Sequence, residues 1–353
     1  MAITLSSLTD LASRGFDTII DVRSPAEYAE DHLPGAVSMA VLDDAERARV
    51  GTIYKQQSPF LARKVGAALV ARNAAAHIET RLMEMGGGWR PLVYCWRGGQ
   101  RSGSFATILQ AVGWRVETLE GGYKAWRRLV VDQVQDRRVA APVVVLDGNT
   151  GSAKTELLGL LAAAGHQVID LEGLANHRGS LFGHRAGGQP SQCAFEGALA
   201  MRLATLDAGR PVVVEAESSK IGNLMVPKAL WAAMVAAPRV RIAAGPDARA
   251  AYLARAYRDL TGAEGKLAEV IGLLRAQHSK EVIADWVAMA AEGAHERLAA
   301  DLMLRHYDPR YDKHRARTES ARDVRVETKG LGPDDLPGVA QRVAEAVARV
   351  AGR

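Results

Sequence analysis

The stretch LVYCWRGGQRS, residues 92–102, joins a short apolar run to a loop that contains two glycines and two arginines. Such a run is typical of a buried parallel strand, and the loop contains residue types that serve catalysis or binding. The same layout occurs at TIIDVRS (18–24), VETLEGGYKAW (116–126) and VVVLDGNTGSAKT (143–155), with helical patterns such as SFATILQAVGW between them. This alternation predicts an α/β fold with parallel sheets and with functional loops at the carboxyl ends of the strands.

Length and composition favour two globular domains. The 353 residues exceed what one hydrophobic core usually organises, and 48% hydrophobic with 24% charged residues is typical of a soluble chain. No apolar run approaches the roughly 20 residues that cross a bilayer, and the first residues lack the layout of a secretory signal. We therefore expect a cytoplasmic protein with no membrane partner. The formal net charge of +5 fits a polyanionic partner and a mildly basic surface equally well.

The polar segment VVDQVQDRRVAAP at 130–142 marks the expected domain boundary. We place an N-terminal parallel-sheet domain at 1–132 and a second α/β domain at 133–353. From about 247 to 306 the Ala-, Leu- and Arg-rich periodicity predicts a helical subdomain within the second domain.

Cys95 is the candidate nucleophile of the first domain. The chain has only two cysteines, Cys95 and Cys193, too few for a disulfide framework. A glycine-rich loop can direct several backbone N–H groups at one centre, and Arg97 and Arg101 add positive charge. These surroundings lower the pKa of a thiol and make it nucleophilic, although a buried cysteine can also pack as a small apolar residue. Packing is the interpretation that we favour for Cys193.

The segment GNTGSAKT, residues 148–155, has the spacing of a phosphate-binding loop between a strand and a helix. Its amides and the helix N-terminus can bind phosphate oxygens, its lysine can neutralise them, and its threonine can reach Mg²⁺ if that ion binds. The expected phosphate-binding residues are Gly148, Thr150, Gly151, Ser152, Lys154 and Thr155. Ala153 stands where this motif normally has glycine, which would strain the loop or narrow the space beside the phosphates. We therefore expect phosphate binding and leave ATP binding and hydrolysis open.

Two further polar groups extend the predicted phosphate site. His177 and Arg178 are expected to bind phosphate or RNA, although a surface loop would have the same composition. Glu215 and Glu217 follow the run VVV, where an acidic strand end often meets a metal. Thr155 and Glu215 are the expected metal ligands, and solvated acids would explain the pattern equally well.

Three motifs in the first domain resemble the rhodanese family: DVRSPAEYAEDHLPGA at 21–36, CWRGGQRS at 95–102 and LEGGYKAW at 119–126. The resemblance implies persulfide or selenopersulfide chemistry on Cys95, with the loop at 95–101 holding the transferred atom and with Arg97 and Arg101 holding the anionic donor. Four polar residues of the first motif are expected to stabilise the fold by hydrogen bonds and ion pairs instead of catalysing: Asp21, Arg23, Glu27 and His32.

The whole chain is similar to the tRNA 2-selenouridine synthase family, in which a rhodanese-like domain precedes a P-loop NTPase-like domain. Besides the two loops, the resemblance rests on DLEGLANHRGSLFG (170–183), QPSQ (189–192), FEGAL (195–199), VEAESSKIG (214–222) and HYDPRY (306–311). It implies a transferase that converts 2-thiouridine at the tRNA wobble position to 2-selenouridine with selenophosphate. It also implies an S-geranylated intermediate made from geranyl diphosphate, so that the P-loop binds a diphosphate or selenophosphate and need not hydrolyse ATP.

The resemblance also sets expectations about partners. The substrates would be tRNA bearing 2-thiouridine, selenophosphate and geranyl diphosphate, with no tightly bound cofactor, with Mg²⁺ as a possible ion and with a selenophosphate-supplying enzyme as a possible partner. Basic residues that could contact tRNA phosphates are Arg310, Lys313, Arg315 and Arg317, although a solvated charged face would look the same.

Two other functions are compatible with these motifs. A plain sulfurtransferase would be active from residues 1–130 alone and would not depend on tRNA. A P-loop kinase or nucleotide switch with a rhodanese-like appendage would turn over ATP in a Cys95→Ala variant and would fail with Lys154→Ala.

Overall fold

The chain forms two compact units in a computed structural model, which describes residues 1–258, 265–311 and 320–352. The first unit comprises Met1–Arg137 with Pro190–Thr205, and the second comprises Arg138–Gln189 with Leu206–Arg353. Each unit contains a five-stranded parallel sheet with helices packed on it, so the α/β prediction is confirmed. None of the helices in the described ranges is long and apolar enough to span a bilayer.

The first unit is built on a sheet with strand order β1-β5-β4-β2-β3. Its strands are β1 (Ala2–Ile3), β2 (Thr18–Asp21), β3 (Ala36–Ser38), β4 (Pro91–Tyr94) and β5 (Glu117–Leu119). Its helices are α1 (Asp10–Ser13), α2 (Pro25–Glu30), α3 (Asp44–Gln56), α4 (Pro59–His77), α5 (Gln100–Val112) and α6 (Gly122–Val131), with π-helical turns at Ile78–Leu82 and Asp132–Asp136. The central strand β4 is buried at every residue, as expected of a continuous apolar run.

The end of the first unit differs from the expected boundary between residues 132 and 133. Residues Asp132–Asp136 continue α6 as a π-helical turn, and Val134 within this turn is fully buried. The division between the units therefore falls after Arg137. The polar residues around Val134 favour a linker, whereas its buried side chain belongs to the helical turn that extends α6.

A helix from the middle of the chain, Gln192–Ala204, also belongs to the first unit. It packs on α6, where Arg127 forms an ion pair with Glu196. The sequence predicts a helix in this segment, but its pattern does not say which sheet the helix accompanies. The placement of 190–205 in the first unit therefore differs from the expectation that 133–353 forms one domain.

A buried ion pair stabilises the first sheet at the end of β2. Arg23 and Asp21 are almost fully buried, and their charged groups are 2.7 Å apart. Arg23 also donates to the carbonyl of Asp31, and its guanidinium carbon lies 4.1 Å from the ring centroid of Tyr123. Because removing one partner would leave a buried charge uncompensated, these contacts fit the expected structural role of Asp21 and Arg23.

The loop after β4 approaches the start of α6 more closely than a side chain would allow. The backbone N–H of Tyr123 donates to the carbonyl of Cys95 at 2.8 Å. Gly122 has φ +56°, and a Cβ there would lie 2.2 Å from the Cys95 carbonyl oxygen. Gly98 has φ +65°, and a Cβ there would lie 2.4 Å from the Leu119 carbonyl oxygen. The two glycines therefore allow the CWRGGQRS and LEGGYKAW motifs to pack backbone against backbone.

The second unit has the strand order β12-β11-β6-β8-β7, with a separate β9–β10 hairpin. Its strands are β6 (Val143–Gly148), β7 (Gln167–Ile169), β8 (Val212–Glu215), β9 (Lys220–Ile221), β10 (Leu224–Met225), β11 (Arg239–Ala244) and β12 (Val324–Thr328). Its helices are α7 (Lys154–Ala163), α8 (Leu171–Leu174), α9 (Lys228–Ala236), α10 (Pro246–Ala256), α11 (Lys266–Gly272), α12 (Lys280–Ala291), α13 (His295–Leu302) and α14 (Leu336–Ala351), with a 3₁₀ turn at Leu273–Ala276 and a π-helical turn at Met303–Tyr307.

The helical subdomain of the second unit has a core of its own. Trp286 of α12 is fully buried among apolar side chains from α11, α13 and the loop that contains Phe182. The Trp286 indole donates to Asp301 at 2.7 Å, which satisfies its one polar atom. The expected helices between about 247 and 306 therefore form a packed layer beside the sheet core.

We expect Gly122→Ala to lower the free energy of unfolding by at least about 2 kcal/mol, because the added methyl meets a backbone carbonyl at a left-handed φ. Denaturant unfolding followed by tryptophan fluorescence measures the change. Gly103→Ala is the matched control, since Gly103 is helical with nothing within 4 Å of its Cβ position, and it should stabilise α5 by up to about 1 kcal/mol. Equal effects of the two substitutions would contradict the close approach.

Candidate active site

Cys95 lies at the carboxyl end of β4, in the middle of the first sheet. Its Sγ accepts hydrogen bonds from the N–H of Gly99 at 3.3 Å and from the hydroxyl of Ser102 at 3.2 Å, both at the start of α5. Burial of this 3% exposed side chain opposes the charged form, but the hydrogen bonds from Ser102, Gly99 and the Arg97 backbone lower the pKa of Cys95. The loop therefore favours a thiolate, as a nucleophile requires.

The two arginines of this loop differ in their surroundings. Arg97 is exposed. Arg101 forms an ion pair with Glu27 at 2.7 Å, and Arg47 approaches the same carboxylate at 3.5 Å. Although burial acts in the opposite direction, the two arginines lower the pKa of Glu27 to about 2. Arg101 therefore links α5 to α2, and its expected role toward an anionic donor competes with this ion pair.

The phosphate loop follows β6, the central strand of the second sheet, and leads into α7. It borders a cavity of about 350 Å³, a volume within the range of small-molecule sites. The expected residues that line this cavity are Thr150, Gly151, Ser152, Lys154 and Thr155. Gly148 lies behind them, and its carbonyl accepts a hydrogen bond from Lys154 Nζ at 2.9 Å. Burial opposes the charge on Lys154, but Tyr311, Glu217 and Glu172 raise the pKa of Lys154, so it remains a cation.

Ala153 adopts the left-handed conformation that glycine would supply, with φ +58°. Its methyl group is 2% exposed and belongs to the hydrophobic core of the second unit. The conformation costs about 1–2 kcal/mol for a residue with a Cβ, and burial of the methyl offsets about 0.8 kcal/mol of that cost. The expected strain is therefore present, whereas the methyl group packs in the core.

Three carboxylates lie beside the phosphate loop. The Thr155 hydroxyl donates to Glu172 at 2.8 Å, and the Glu172 N–H donates to Glu215 Oε1 at 2.6 Å. The other oxygen of Glu215 is buried without a hydrogen-bond partner among the described residues. Burial and the neighbouring acids raise the pKa of Glu215, and burial with Glu172 raises the pKa of Glu217 to about 8. Of the two acids that the sequence singled out, Glu217 lines the cavity and Glu215 does not, whereas Glu172, which the sequence did not single out, lines it as well.

These groups are compatible with Mg²⁺ beside a phosphate. Mg²⁺ keeps several waters and binds through one or two protein oxygens together with phosphate oxygens. The expected ligands are the Thr155 hydroxyl, which lines the cavity, and Glu215, whose buried oxygen has no hydrogen-bond partner among the described residues; the Glu172 and Glu217 carboxylates line the cavity and offer further oxygens. Over the described ranges, no group of three or more His, Cys, Asp or Glu side chains could hold a metal by itself.

Of the two residues expected next to the phosphates, only Arg178 lines the cavity. Its guanidinium carbon lies 4.7 Å from the ring centroid of Tyr257. His177 is 3% exposed, and its Nδ1 is 3.1 Å from the Gly179 N–H. Burial and the neighbouring His184 lower the pKa of His177, so it is neutral at pH 7. His177 therefore packs this loop, and Arg185, which the sequence did not single out, lines the cavity instead.

An apolar pocket adjoins the phosphate cavity. Thr150, Ser180, Leu253, Tyr257 and Tyr307 border both spaces. The remaining walls of the pocket come mostly from apolar residues of the helical subdomain, namely Phe182, Ala254, Leu267, Leu298, Ala299, Leu302 and Met303, together with His295. The helical periodicity predicts these helices, and the pocket lies between their apolar side chains and the phosphate loop.

The basic segment near residue 310 is only partly described. Arg310 is exposed and hydrogen-bonds to His306 at 2.9 Å and to Gln277. The other residues expected to contact RNA, Lys313, Arg315 and Arg317, lie outside the described residues.

Two protein-family models match this chain. A family model described as a rhodanese-like domain matches residues 4–129, and one described as the tRNA 2-selenouridine synthase AAA domain matches residues 141–270. Two relatives are each named tRNA 2-selenouridine synthase. The protein of Alcanivorax borkumensis is 32% identical over 83% of this chain and 88% of its own length, and that of Chromohalobacter salexigens is 36% identical over 83% of this chain and 86% of its own.

We expect Ser102→Ala to raise the pKa of Cys95, because it removes a hydrogen bond to the sulfur. The pH profile of Cys95 alkylation by iodoacetamide, followed by mass spectrometry of the modified peptide, should shift to higher pH. Thr107→Ala is the matched control, since its hydroxyl bonds to Gly103 on the same helix. An unchanged profile in Ser102→Ala would show that the hydroxyl does not stabilise the thiolate.

We expect the affinity for inorganic diphosphate to fall as the pH rises through about 8, where Glu217 becomes charged. Below that pH the protonated carboxyl does not repel the anion, whereas above it the carboxylate does. Calorimetric titration in EDTA at pH 7 and pH 9 measures the effect, which should be smaller in Glu217→Gln. Glu327→Gln, on an exposed carboxylate of the same unit, should behave as the wild type. The same pH dependence in both variants would exclude Glu217 as its source.

Proposed function

The chain belongs to the tRNA 2-selenouridine synthase family, and we propose that it converts 2-thiouridine at the tRNA wobble position to 2-selenouridine with selenophosphate. We further propose an S-geranylated intermediate made from geranyl diphosphate, so that the enzyme is both a selenotransferase and a geranyltransferase. The observation that carries this proposal is that one chain combines a thiol of lowered pKa with a phosphate loop beside an apolar pocket. We expect it to act in the cytoplasm, with a selenophosphate-supplying enzyme as a possible partner.

The second unit would carry out the prenyl transfer. Geranyl diphosphate has a multiply charged head and a hydrocarbon chain, which agree in polarity with the phosphate cavity and the adjoining apolar pocket; the pocket, at about 70 Å³, would have to widen to hold the whole chain. Lys154 and Arg178 would bind the diphosphate, while the C2 sulfur of thiouridine attacks the first carbon of the chain. The C–S bond forms as the C–O bond breaks, and inorganic diphosphate leaves. Mg²⁺ bound by Thr155 and Glu215 would neutralise charge on that leaving group.

The first unit would carry out the selenium exchange. S-alkylation turns the C2 sulfur into a better leaving group, so the selenium of selenophosphate can add at C2 while geranylthiol leaves. Water then takes the phosphoryl group as inorganic phosphate, and no oxidant is needed. A selenopersulfide on Cys95 would require an oxidation that selenophosphate does not supply. We therefore assign the Cys95 thiolate the role of orienting the selenium, with Arg97 binding the anionic donor, while the departing geranylthiolate takes its proton from water.

We expect Cys95→Ala and Lys154→Ala to block different steps. Lys154→Ala or Thr155→Ala should suppress S-geranylation at least about a hundredfold. The negative charge that develops on the leaving diphosphate would lose the Lys154 ammonium in the first variant and a ligand of the Mg²⁺ ion in the second. Cys95→Ala should spare S-geranylation and abolish selenium incorporation. Mass spectrometry of nucleosides, after incubation of 2-thiolated tRNA with geranyl diphosphate and then selenophosphate, resolves both products.

The controls are Cys193→Ala and Lys220→Ala, which remove the same side-chain types outside the two loops. Both should retain both products. Full selenium incorporation by Cys95→Ala would refute the role of the thiol, and loss of geranylation in Cys95→Ala but not in Lys154→Ala would refute the division of the two steps.

A further inference from the structure

The first unit has a wide groove that the proposed chemistry does not use. It lies between α3 and α4, extends to the first turn of α5 and has a volume of about 830 Å³. Small residues form much of its floor, and a Cβ on Gly66 would lie 3.6 Å from Val50 across the two helices. The groove therefore forms where α3 and α4 pack together through small residues. The side chains on its rim are the ones that a ligand would contact.

The rim of the groove is positively charged. The cationic residues that line it are Arg47, Lys55, Arg63 and Arg101, and its lining, which lies wholly within the described residues, contains no Asp or Glu. Arg47 and Arg101 share the carboxylate of Glu27, so that trio retains one positive charge. Lys55 and Arg63 form no ion pair within the described residues. The surface is therefore complementary to a polyanion.

Two aromatic side chains are exposed beside these cations. Tyr54 lines the groove and is 59% exposed, and Phe60 at the start of α4 is 62% exposed. The guanidinium of Arg63 lies 5.7 Å and the ammonium of Lys64 lies 5.2 Å from the centroid of the Phe60 ring. Proteins that bind single-stranded nucleic acid use this combination, since bases stack on the rings while phosphates contact the cations. An acidic peptide would need the cations but would not need exposed rings.

The groove ends at the turn that stabilises the thiolate. Gln100, Arg101 and Ser104 line it, whereas Gly99 and Ser102 of the same turn donate hydrogen bonds to Cys95. An RNA strand in the groove would therefore run toward the reactive sulfur.

We propose that the α3–α4 groove binds a single-stranded RNA segment, with phosphates at Lys55 and Arg63, one base stacked on Tyr54 in the groove and another on Phe60, which lies outside the lining and contacts Arg63. The identification of that RNA as a tRNA anticodon loop rests on the proposed function, whereas the binding of RNA by the groove does not.

The test uses the full chain and a fluorescent anticodon stem-loop RNA with 2-thiouridine at the wobble position. The double variant Lys55→Ala, Arg63→Ala should raise the Kd at least about tenfold and lower the slope of log Kd against log salt by about 1.4, at about 0.7 per phosphate contact. The double variant Tyr54→Ala, Phe60→Ala should weaken binding at least about fivefold per ring without changing that slope.

The matched control is Arg49→Ala, Arg115→Ala, which removes two exposed positive charges outside the groove and should leave the Kd and the slope nearly unchanged. The rate of Cys95 alkylation should be the same in all variants, which shows that the first unit is folded. Wild-type affinity and salt slope in both groove variants would overturn the proposal. So would displacement of the RNA by polyglutamate together with no effect of the aromatic substitutions, because the groove would then suit an acidic protein.

The outcomes also separate the groove from the proposed function. If the groove variants lose RNA while the wild type incorporates no selenium, the groove stands and the proposed reaction fails. If the wild type selenates tRNA and the groove variants bind RNA normally, the reaction stands and the groove proposal fails. A wild-type chain without affinity for RNA would overturn both.

Discussion

Both candidate sites depend on the N–H groups of the first turn of a helix that follows the central strand of a parallel sheet. β4 and β6 each occupy the third place among five strands, and α5 and α7 begin within a few residues of their ends. The first N–H groups of a helix have no acceptor within it, so an anion at that point satisfies them. In the first unit the sulfur of Cys95 lies at this point and accepts the N–H of Gly99. In the second unit the phosphate cavity lies there, so a bound phosphate would take the place of the anion.

The two sites differ in the charges that surround these N–H groups. The thiolate form of Cys95 is stabilised by neutral hydrogen-bond donors, so the pKa of Cys95 depends on how many of these hydrogen bonds are present. Lys154 lies among Glu172, Glu217 and Asp147, which keep it protonated while the two glutamates repel each other. A bound diphosphate adds negative charge to this group. The second site therefore requires protons on its carboxylates, or a divalent cation, before it can bind a diphosphate strongly.

The sequence predicted the strands and the positions of the two loops, because these depend on local patterns. It did not predict contacts that arise from packing. Arg101 was expected to face the donor, but Glu27, distant in sequence, forms an ion pair with it. His177 was expected to bind phosphate, but its ring is buried against His184. The helix Gln192–Ala204 joins the first unit through Arg127 and Glu196, and a pattern of apolar spacing cannot show such a pairing.

One ion pair, between Arg249 and Asp308, stabilises both the phosphate loop and the wall of the apolar pocket. Arg249 of α10 donates to the Thr150 carbonyl at 3.2 Å and binds both carboxylate oxygens of Asp308 at 2.9 and 2.7 Å. Asn149 donates to the same carboxylate at 3.0 Å. Because Thr150 borders both spaces and Asp308 follows the helices that enclose the pocket, a shift of this pair would move the phosphate site and the apolar wall together. Recognition of the charged head and of the apolar chain of a ligand would then be coupled, since one guanidinium positions the residue that borders both.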